Sequence, residues 1–252
     1  MAEQQIALVT GAAKRIGAAI VRDLAAHGYQ VAIHCNRSLA EAKALAGELR
    51  SKGGKATVFQ ADLADESQLA RLVPAAASEL GPLTLLVNNA SVFLKDEFGA
   101  LDSSVWQTQF DVNLRAPVFL AEAFAAQVPD GRSGNIINVI DQRVAKLTPG
   151  MPSYTLTKAA LWTATQTLAQ ALAPRIRVNG IGPGPTFPNP YAGDRGMTTE
   201  ITGIPLKRAV DVQDIGRAVR FLAESQSITG QLLLVDSGQH IGWATPDIVG
   251  PS

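Results

Sequence analysis

A doubly wound α/β fold, a seven-stranded parallel sheet with helices on both faces, is predicted by three observations. Seven short apolar runs alternate with six longer segments of helical periodicity. The runs are apolar at successive positions, as strands covered on both faces must be. The first run passes through a glycine-containing turn directly into the first helical segment, which is how a parallel βαβ unit opens. No repeat or low-complexity stretch interrupts the alternation, and right-handed crossovers leave few topologies.

Ile6-Ala7-Leu8-Val9 is the first strand, broken at Gly11, and a helix follows over 16–24. Val31-Ala32-Ile33 and a helix over about 39–49 make the second unit, Thr57-Val58-Phe59 and about 67–79 the third. The run 83–87 precedes a long helical stretch at about 104–127, and 136–140 precedes 154–173. The run 176–181, a helix at 212–223 and the run 232–235 complete the sheet. Only the stretch from 182 to about 206 breaks the pattern, being rich in Gly, Pro and Thr with weak periodicity. Loops that long inside a compact domain are usually functional or disordered. Its place after the sixth strand, at a carboxyl end of the sheet, favours a lid over a ligand crevice. The whole chain, 1–252, is read as a single domain carrying that loop.

Composition narrows the class. The 22 Lys and Arg residues balance 22 Asp and Glu, which argues against nucleic-acid or anionic-membrane partners. With 46% hydrophobic and 17% charged residues the chain buries a sizeable core rather than staying disordered. The lone Cys35 excludes an internal disulfide and fits a reducing cytosol. Met1-Ala2-Glu3-Gln4-Gln5 has no basic leader character, and no apolar run reaches the ~18 residues of a membrane span. A cytoplasmic protein acting on a small molecule is expected.

The turn Thr10-Gly11-Ala12-Ala13-Lys14-Arg15-Ile16-Gly17 follows the first strand and opens the first helix. Gly11 permits the tight turn, and Gly17 lets the helix pack close to the sheet. Backbone N–H groups at the helix start then face a pyrophosphate. Arg15 stands where a middle glycine is expected, bringing a guanidinium to the phosphates. The second strand ends in His34-Cys35-Asn36-Arg37-Ser38, without the carboxylate that would accept from an NAD ribose. Arg37 and Ser38, with Arg15, instead offer donors to a 2′-phosphate, so NADPH is the expected cofactor. The competing reading leaves Arg37 as a solvated loop residue. Asp62-Leu63 ends the third strand where a carboxylate can accept from an adenine amino group, and Asn88-Asn89-Ala90-Ser91 ends the fourth. Ordinary turn chemistry would also explain both.

Asn113, Asp141, Tyr154 and Lys158 are the candidates for chemistry. Tyr154 and Lys158 lie four apart and share a helix face. An ammonium beside a phenol favours phenolate and is expected to lower its pKa, giving a proton donor near neutral pH. His27, His34 and His240 lack metal-ligand spacing, so no metal is expected.

These residues together resemble the short-chain dehydrogenase/reductase family, along nearly the whole chain. The resemblance rests on Thr10 to Gly17, Asp62, Asn88-Asn89-Ala90, Asn113, Tyr154 to Lys158, Pro183-Gly184, Ile228-Thr229-Gly230 and Val235-Asp236-Ser237-Gly238. It implies hydride transfer from a nicotinamide, with Tyr154 as proton donor, Lys158 on the nicotinamide ribose and Asn113 holding a relay water. The cofactor contacts it implies are Gly11, Arg15, Ile16, Asn36, Arg37, Ser38, Asp62, Leu63, Asn89, Ala90, Ser91, Tyr154, Lys158, Pro183 and Gly184.

One departure is informative. The family pattern has serine thirteen residues before the tyrosine; here that residue is Asp141. An ionised carboxylate only accepts hydrogen bonds and, unless protonated, is expected to repel a developing alkoxide and raise the Tyr154 pKa, so it suits a substrate bearing N–H donors or a C=N bond whose nitrogen needs a proton. A structural cap or a salt bridge to Arg143 is the alternative. With Asp141, the stretches Thr10 to Gly17, His34 to Ser38 and Asn88-Asn89-Ala90-Ser91-Val92-Phe93 resemble the pteridine reductase branch. That resemblance implies that Phe93 stacks on a pterin and that Arg15, Ser91, Asp141 and Tyr154 contact substrate. Core packing is the other reading of Phe93. A carbonyl or 3-oxoacyl reductase, and a catalytically idle NADP(H)-binding regulator, are the competing functions. The segment 154–173 is apolar around most of its circumference, so part of it is expected to pack on another subunit; the resemblance implies a homotetramer.

Overall fold

The computed structural model describes residues 4–243. The expectation of no basic leader concerns residues 1–5, of which 1–3 lie outside the described residues. Seven strands form one sheet: β1 (Ile6–Val9), β2 (Gln30–Cys35), β3 (Ala56–Gln60), β4 (Leu85–Asn88), β5 (Gly134–Val139), β6 (Ile176–Pro183) and β7 (Leu232–Val235). All pairs are parallel, in the order β3-β2-β1-β4-β5-β6-β7. The connecting helices are α1 (Arg15–Ala26), α2 (Leu39–Ser51), α3 (Glu66–Leu80), α4 (Ser103–Phe110), α5 (Ala116–Gln127), α6 (Pro152–Leu172), α7 (Gly193–Gly203) and α8 (Val212–Glu224).

Residue alternation along each strand divides the core into two layers. Ala7, Val9, Val31, Ile33, Leu85, Val87, Ile137 and Val139 point to one face and pack on α1, α2 and α8. Ile6, Leu8, Ala32, Leu86, Ile136 and Val178 point to the other and pack on α3, α5 and α6. Three helices start where an aspartate satisfies free N–H groups. Asp65 accepts from Ser67 and Gln68, Asp102 from Ser104 and Val105, and Asp211 from Gln213. Among the described residues no helix is long and apolar enough to cross a membrane.

The structure differs from the sequence expectation in three places. The helical stretch at 104–127 is divided by a π-helical turn at Asp111–Arg115, so α4 and α5 are separate elements. The segment 182–206 is not all loop: β6 extends to Pro183, and α7 occupies Gly193–Gly203 without burying a residue. A helix with no buried face leaves only a weak periodicity in the sequence. The strands are also less apolar than expected. Asn88 in β4 donates to Asn138 Oδ1 in β5 at 2.9 Å, and Asn138 donates to Thr165 Oγ1 in α6 at 2.9 Å. These buried amides tie the two central strands to α6, the helix that carries Tyr154 and Lys158.

Two glycines separate packing from propensity. A Cβ on Gly17 would collide with the Gly11 carbonyl and lie 2.6 Å from Asn89 Nδ2. Gly47, inside α2, has nothing within 4 Å. Gly17→Ala is expected to lower unfolding stability in urea by about 1–3 kcal/mol through overpacking. Gly47→Ala is expected to raise it by roughly 0.5–1 kcal/mol, the helix-propensity difference.

Candidate active site

The turn after β1 is fixed by side chains from the ends of β2 and β4. Gly11 has φ +60°, and a Cβ there would lie 2.8 Å from Ala90 Cα, so only glycine lets the two backbones meet. Asn89 Nδ2 donates to the Thr10 and Gly11 carbonyls at 2.8 and 3.0 Å. The Gly11 N–H donates to His34 Nδ1 at 3.1 Å, and the Ala12 N–H donates to the His34 carbonyl at 2.8 Å. His34 Nδ1 is therefore the unprotonated nitrogen, and Nε2–H donates to the Ala61 carbonyl at 3.0 Å. Burial pushes the His34 pKa down to about 4, which keeps the imidazole neutral. Sequence reasoning placed His34 beside the site without giving it a role. Arg15 keeps the left-handed backbone, φ +52°, that the expected middle glycine would adopt.

A cleft of about 520 Å³ opens at the carboxyl ends of the strands. Its walls include Gly11, Arg15, Ile16, Asn36, Asp62, Leu63, Asn89, Ala90, Ser91, Phe93, Asp141, Tyr154, Lys158, Pro183 and Gly184. Of the expected cofactor residues, Arg37 and Ser38 do not line this cleft; Arg37 is exposed beyond Asn36 at the start of α2. Asp62 lines the cleft while Oδ1 accepts from the Ala64 N–H at 3.0 Å, so its turn role and its cleft position coexist. Cys35 is buried. The residues fit a dinucleotide: glycine backbone rather than side chains meets Asn89 and Ala90 at the turn. From there the cleft runs to Asn36 at one end and to Tyr154 and Lys158 at the other.

At the second end, Tyr154 and Lys158 project from the first turns of α6. The Tyr154 hydroxyl donates to Asp141 Oδ2 at 2.8 Å, and Lys158 Nζ donates to the Val139 carbonyl at 2.9 Å. The Lys158 ammonium lies 5.7 Å from the Tyr154 ring centroid. Both residues are buried. The lowered tyrosine pKa expected from this spacing is not what the structure shows. Burial, and then the Asp141 carboxylate, push Tyr154 well above the ordinary phenol value. Burial likewise brings Lys158 down to about 8, against the opposing pull of Asp141. A spacing rule counts the attraction of one ammonium and omits the desolvation of both groups, which is larger here.

Asp141 combines two of the roles open to it in the sequence. Oδ1 accepts from the Arg143 N–H at 2.8 Å, capping a short 3₁₀ turn, while Oδ2 accepts the hydrogen bond from the Tyr154 hydroxyl. The Arg143 guanidinium donates instead to Thr148 Oγ1 and the Gly150 carbonyl. Asn113 is fully buried and outside the cleft wall. Its Oδ1 accepts from the Val92 N–H and the Ser91 hydroxyl at 2.8 and 3.1 Å, and its Nδ2 donates to the Val92 carbonyl at 2.9 Å.

Phe93 packs edge-on against Tyr154, with ring centroids 4.7 Å apart and planes at 83°. Two residues of the 182–206 segment reach the same end and were not identified from the sequence. The Phe187 ring lies 4.9 Å from the Arg15 guanidinium, and Tyr191 packs on Phe93 at 6.0 Å. The aromatic residues were visible in the sequence, but nothing in their spacing pointed to Arg15 or Phe93.

These shifts carry a signed prediction. Removing the Asp141 charge withdraws what raises both neighbours, so Asp141→Asn is expected to bring the Tyr154 pKa down and to drop Lys158 below about 8. Ultraviolet difference titration of the phenol and NMR of labelled lysine, in cofactor-free protein, check the two directions separately.

The short chain dehydrogenase family matches residues 5–192. The 3-oxoacyl-[acyl-carrier-protein] reductase FabG of Staphylococcus epidermidis is 33% identical over 241 residues, 93% of this chain and 98% of that protein. Among solved structures, the FolM alternative dihydrofolate reductase 1 from Brucella canis, complexed with NADP, is 52% identical with a TM-score of 0.91, covering 97% of both chains. A blue fluorescent protein from a metagenomic library, in complex with NADPH, is 37% identical with a TM-score of 0.86, covering 93% of this chain and 97% of that one. The chain thus belongs to the short-chain dehydrogenase/reductase family of oxidoreductases and resembles its pteridine reductase-like branch.

Proposed function

We propose that the protein is an NADPH-dependent reductase of a pterin C=N bond. The observation that carries this reading is the Tyr154 hydroxyl donating to Asp141 Oδ2, beside the Phe93 ring. A hydroxyl at position 141 would donate to a ketone oxygen; a carboxylate there accepts, which matches the N–H-rich edge of a pterin. The 52% identity to FolM supports the same substrate class, and the NADP and NADPH complexes of related chains support the cofactor.

When bound, NADPH supplies the hydride accepted by the ring carbon. Tyr154, kept protonated by burial and by Asp141, delivers the proton from its hydroxyl to the adjacent ring nitrogen. Carbon gains C–H, nitrogen gains N–H, and the double bond becomes single. The Tyr154–Asp141 pair then recovers a proton from water at the cleft. Lys158 would hold the nicotinamide ribose when the cofactor is bound, and Asn113 would hold a relay water that extends the same proton path. Phe93 offers a rigid aromatic face to a flat ring, with Ser91 and Arg15 at its edge.

The cofactor contacts proposed for the turn and strand ends are Gly11, Arg15, Ile16, Asn36, Asp62, Leu63, Asn89, Ala90, Pro183 and Gly184, with Arg37 and Ser38 closing on the 2′-phosphate. The whole chain serves as one catalytic domain. The exposed Leu156 on α6 and Phe119 on α5 suit packing against further copies in a homotetramer. An unpaired, buried Cys35 suits the cytoplasm.

The 33% identity to FabG favours a second reading, reduction of a 3-oxoacyl carbonyl. Substitutions separate the two. Tyr154→Phe is expected to lower kcat for dihydropterin reduction by roughly 10²-fold or more, the scale of losing a general acid. Asp141→Ser is expected to cut dihydropterin reduction and raise ketone reduction. Equal dihydropterin rates in that variant and the parent would remove the basis for the pterin reading.

Cofactor choice has its own test. Arg37→Asp is expected to weaken NADPH binding by about 1.5–3 kcal/mol, the scale of a charge-assisted hydrogen bond. Fluorescence titration with NADPH and NADH checks it, and equal affinity of the unaltered protein for both would contradict the preference.

A further inference from the structure

Residues 91–96 between β4 and α4 belong to neither helix nor strand, yet they carry the aromatic wall of the site. Backbone groups in such a segment need partners from elsewhere. Side chains supply them in a regular pattern. Asn113 accepts from the Val92 N–H at 2.8 Å and donates to its carbonyl at 2.9 Å. Gln109 accepts from the Leu94 N–H at 3.3 Å and donates to its carbonyl at 3.4 Å. A carboxamide is a peptide group on a side chain. Two of them, four residues apart, therefore pair with alternate residues 92 and 94 much as a neighbouring strand would. The residue between, Phe93, meets the Tyr154 ring edge-on.

The other side of the segment is held by Tyr191. Its hydroxyl donates to the Phe93 carbonyl at 3.2 Å and accepts from the Lys95 N–H at 3.1 Å. Gln109 is fully buried and reaches further, since its Nε2 also donates to the hydroxyl of Ser153, the residue before Tyr154. Asp96 Oδ2 accepts from the Ser153 N–H at 3.1 Å. One buried amide thus touches the residue after Phe93 and the residue before Tyr154. No step of the proposed chemistry uses it.

We infer that Gln109 is a positioning residue: with Tyr191 it clamps residues 92–95 so that Phe93 and Tyr154 form the fixed corner against which a flat substrate rests. Its kinetic consequence rests on the proposed pterin reading; its structural consequence does not.

Hydrogen exchange followed by mass spectrometry, on cofactor-free protein, tests the clamp directly. Gln109→Leu is expected to speed amide exchange at 92–96 by about tenfold, the loss of roughly one net hydrogen bond's stabilisation, with 10–17 unchanged. Steady-state kinetics are expected to show the dihydropterin KM rising about 5–10-fold, with kcat and the NADPH KM within about twofold. Tyr191→Phe, at a half-exposed residue, is expected to move both readouts the same way by about 2–5-fold, and it decides the matter if Gln109→Leu does not fold. Unchanged exchange at 92–96, or an NADPH KM that rises in step with the dihydropterin KM, would overturn the inference. If the unaltered protein reduces no dihydropterin, the functional reading fails while the exchange measurement still decides the clamp.

Discussion

Because β1 pairs with β2 on one side and β4 on the other, the crossovers leave it in opposite directions and the carboxyl ends part there. The helices α1 and α2 lie on one face of the sheet, and α3, α5 and α6 on the other. The turn after β1 therefore faces the strand end of β4 across a crevice, and everything the site needs is arranged along its length. Close approach is the controlling constraint. Gly11 and Ala90 meet backbone to backbone, and Gly17 stands against the Gly11 carbonyl and Asn89. A side chain at either glycine would push the turn after β1 away from the end of β4.

The chemical end depends on that frame but obeys a different balance. Tyr154 and Lys158 sit where water is scarce, so a charge on either is costly unless paired. Burial moves the phenol up and the ammonium down, and Asp141 pushes both upward. The result is a phenol that keeps its proton at neutral pH and donates a hydrogen bond to a carboxylate 2.8 Å away. The buried amides Asn88, Asn138, Asn113 and Gln109 serve the same end by joining β4, β5, α4 and α6 through directional bonds that apolar packing alone would not specify.

The parts of the site legible in the sequence are those whose chemistry is local. The Thr10–Gly17 turn, the missing carboxylate after β2, the four-residue spacing of Tyr154 and Lys158, and the serine-to-aspartate exchange at 141 can all be read from neighbours along the chain. The parts that were not legible depend on residues distant in sequence. His34 accepts from Gly11, Tyr191 grips residues 93 and 95, and Phe187 lies beside Arg15. The break at Asp111–Arg115 went unseen because an extra residue in a helical turn barely disturbs an apolar pattern.

The sequence by itself determined the order of strands and helices and the sites of the sharp turns. Periodicity and glycine placement are properties of short stretches, fixed before the chain folds. It also determined which functional groups stand at the strand ends. Only the tertiary structure decided their protonation. A pKa follows from the water excluded and the charges gathered around a group, and Tyr154 and Lys158 acquire those surroundings only when β5, α6 and the 91–96 segment close over them.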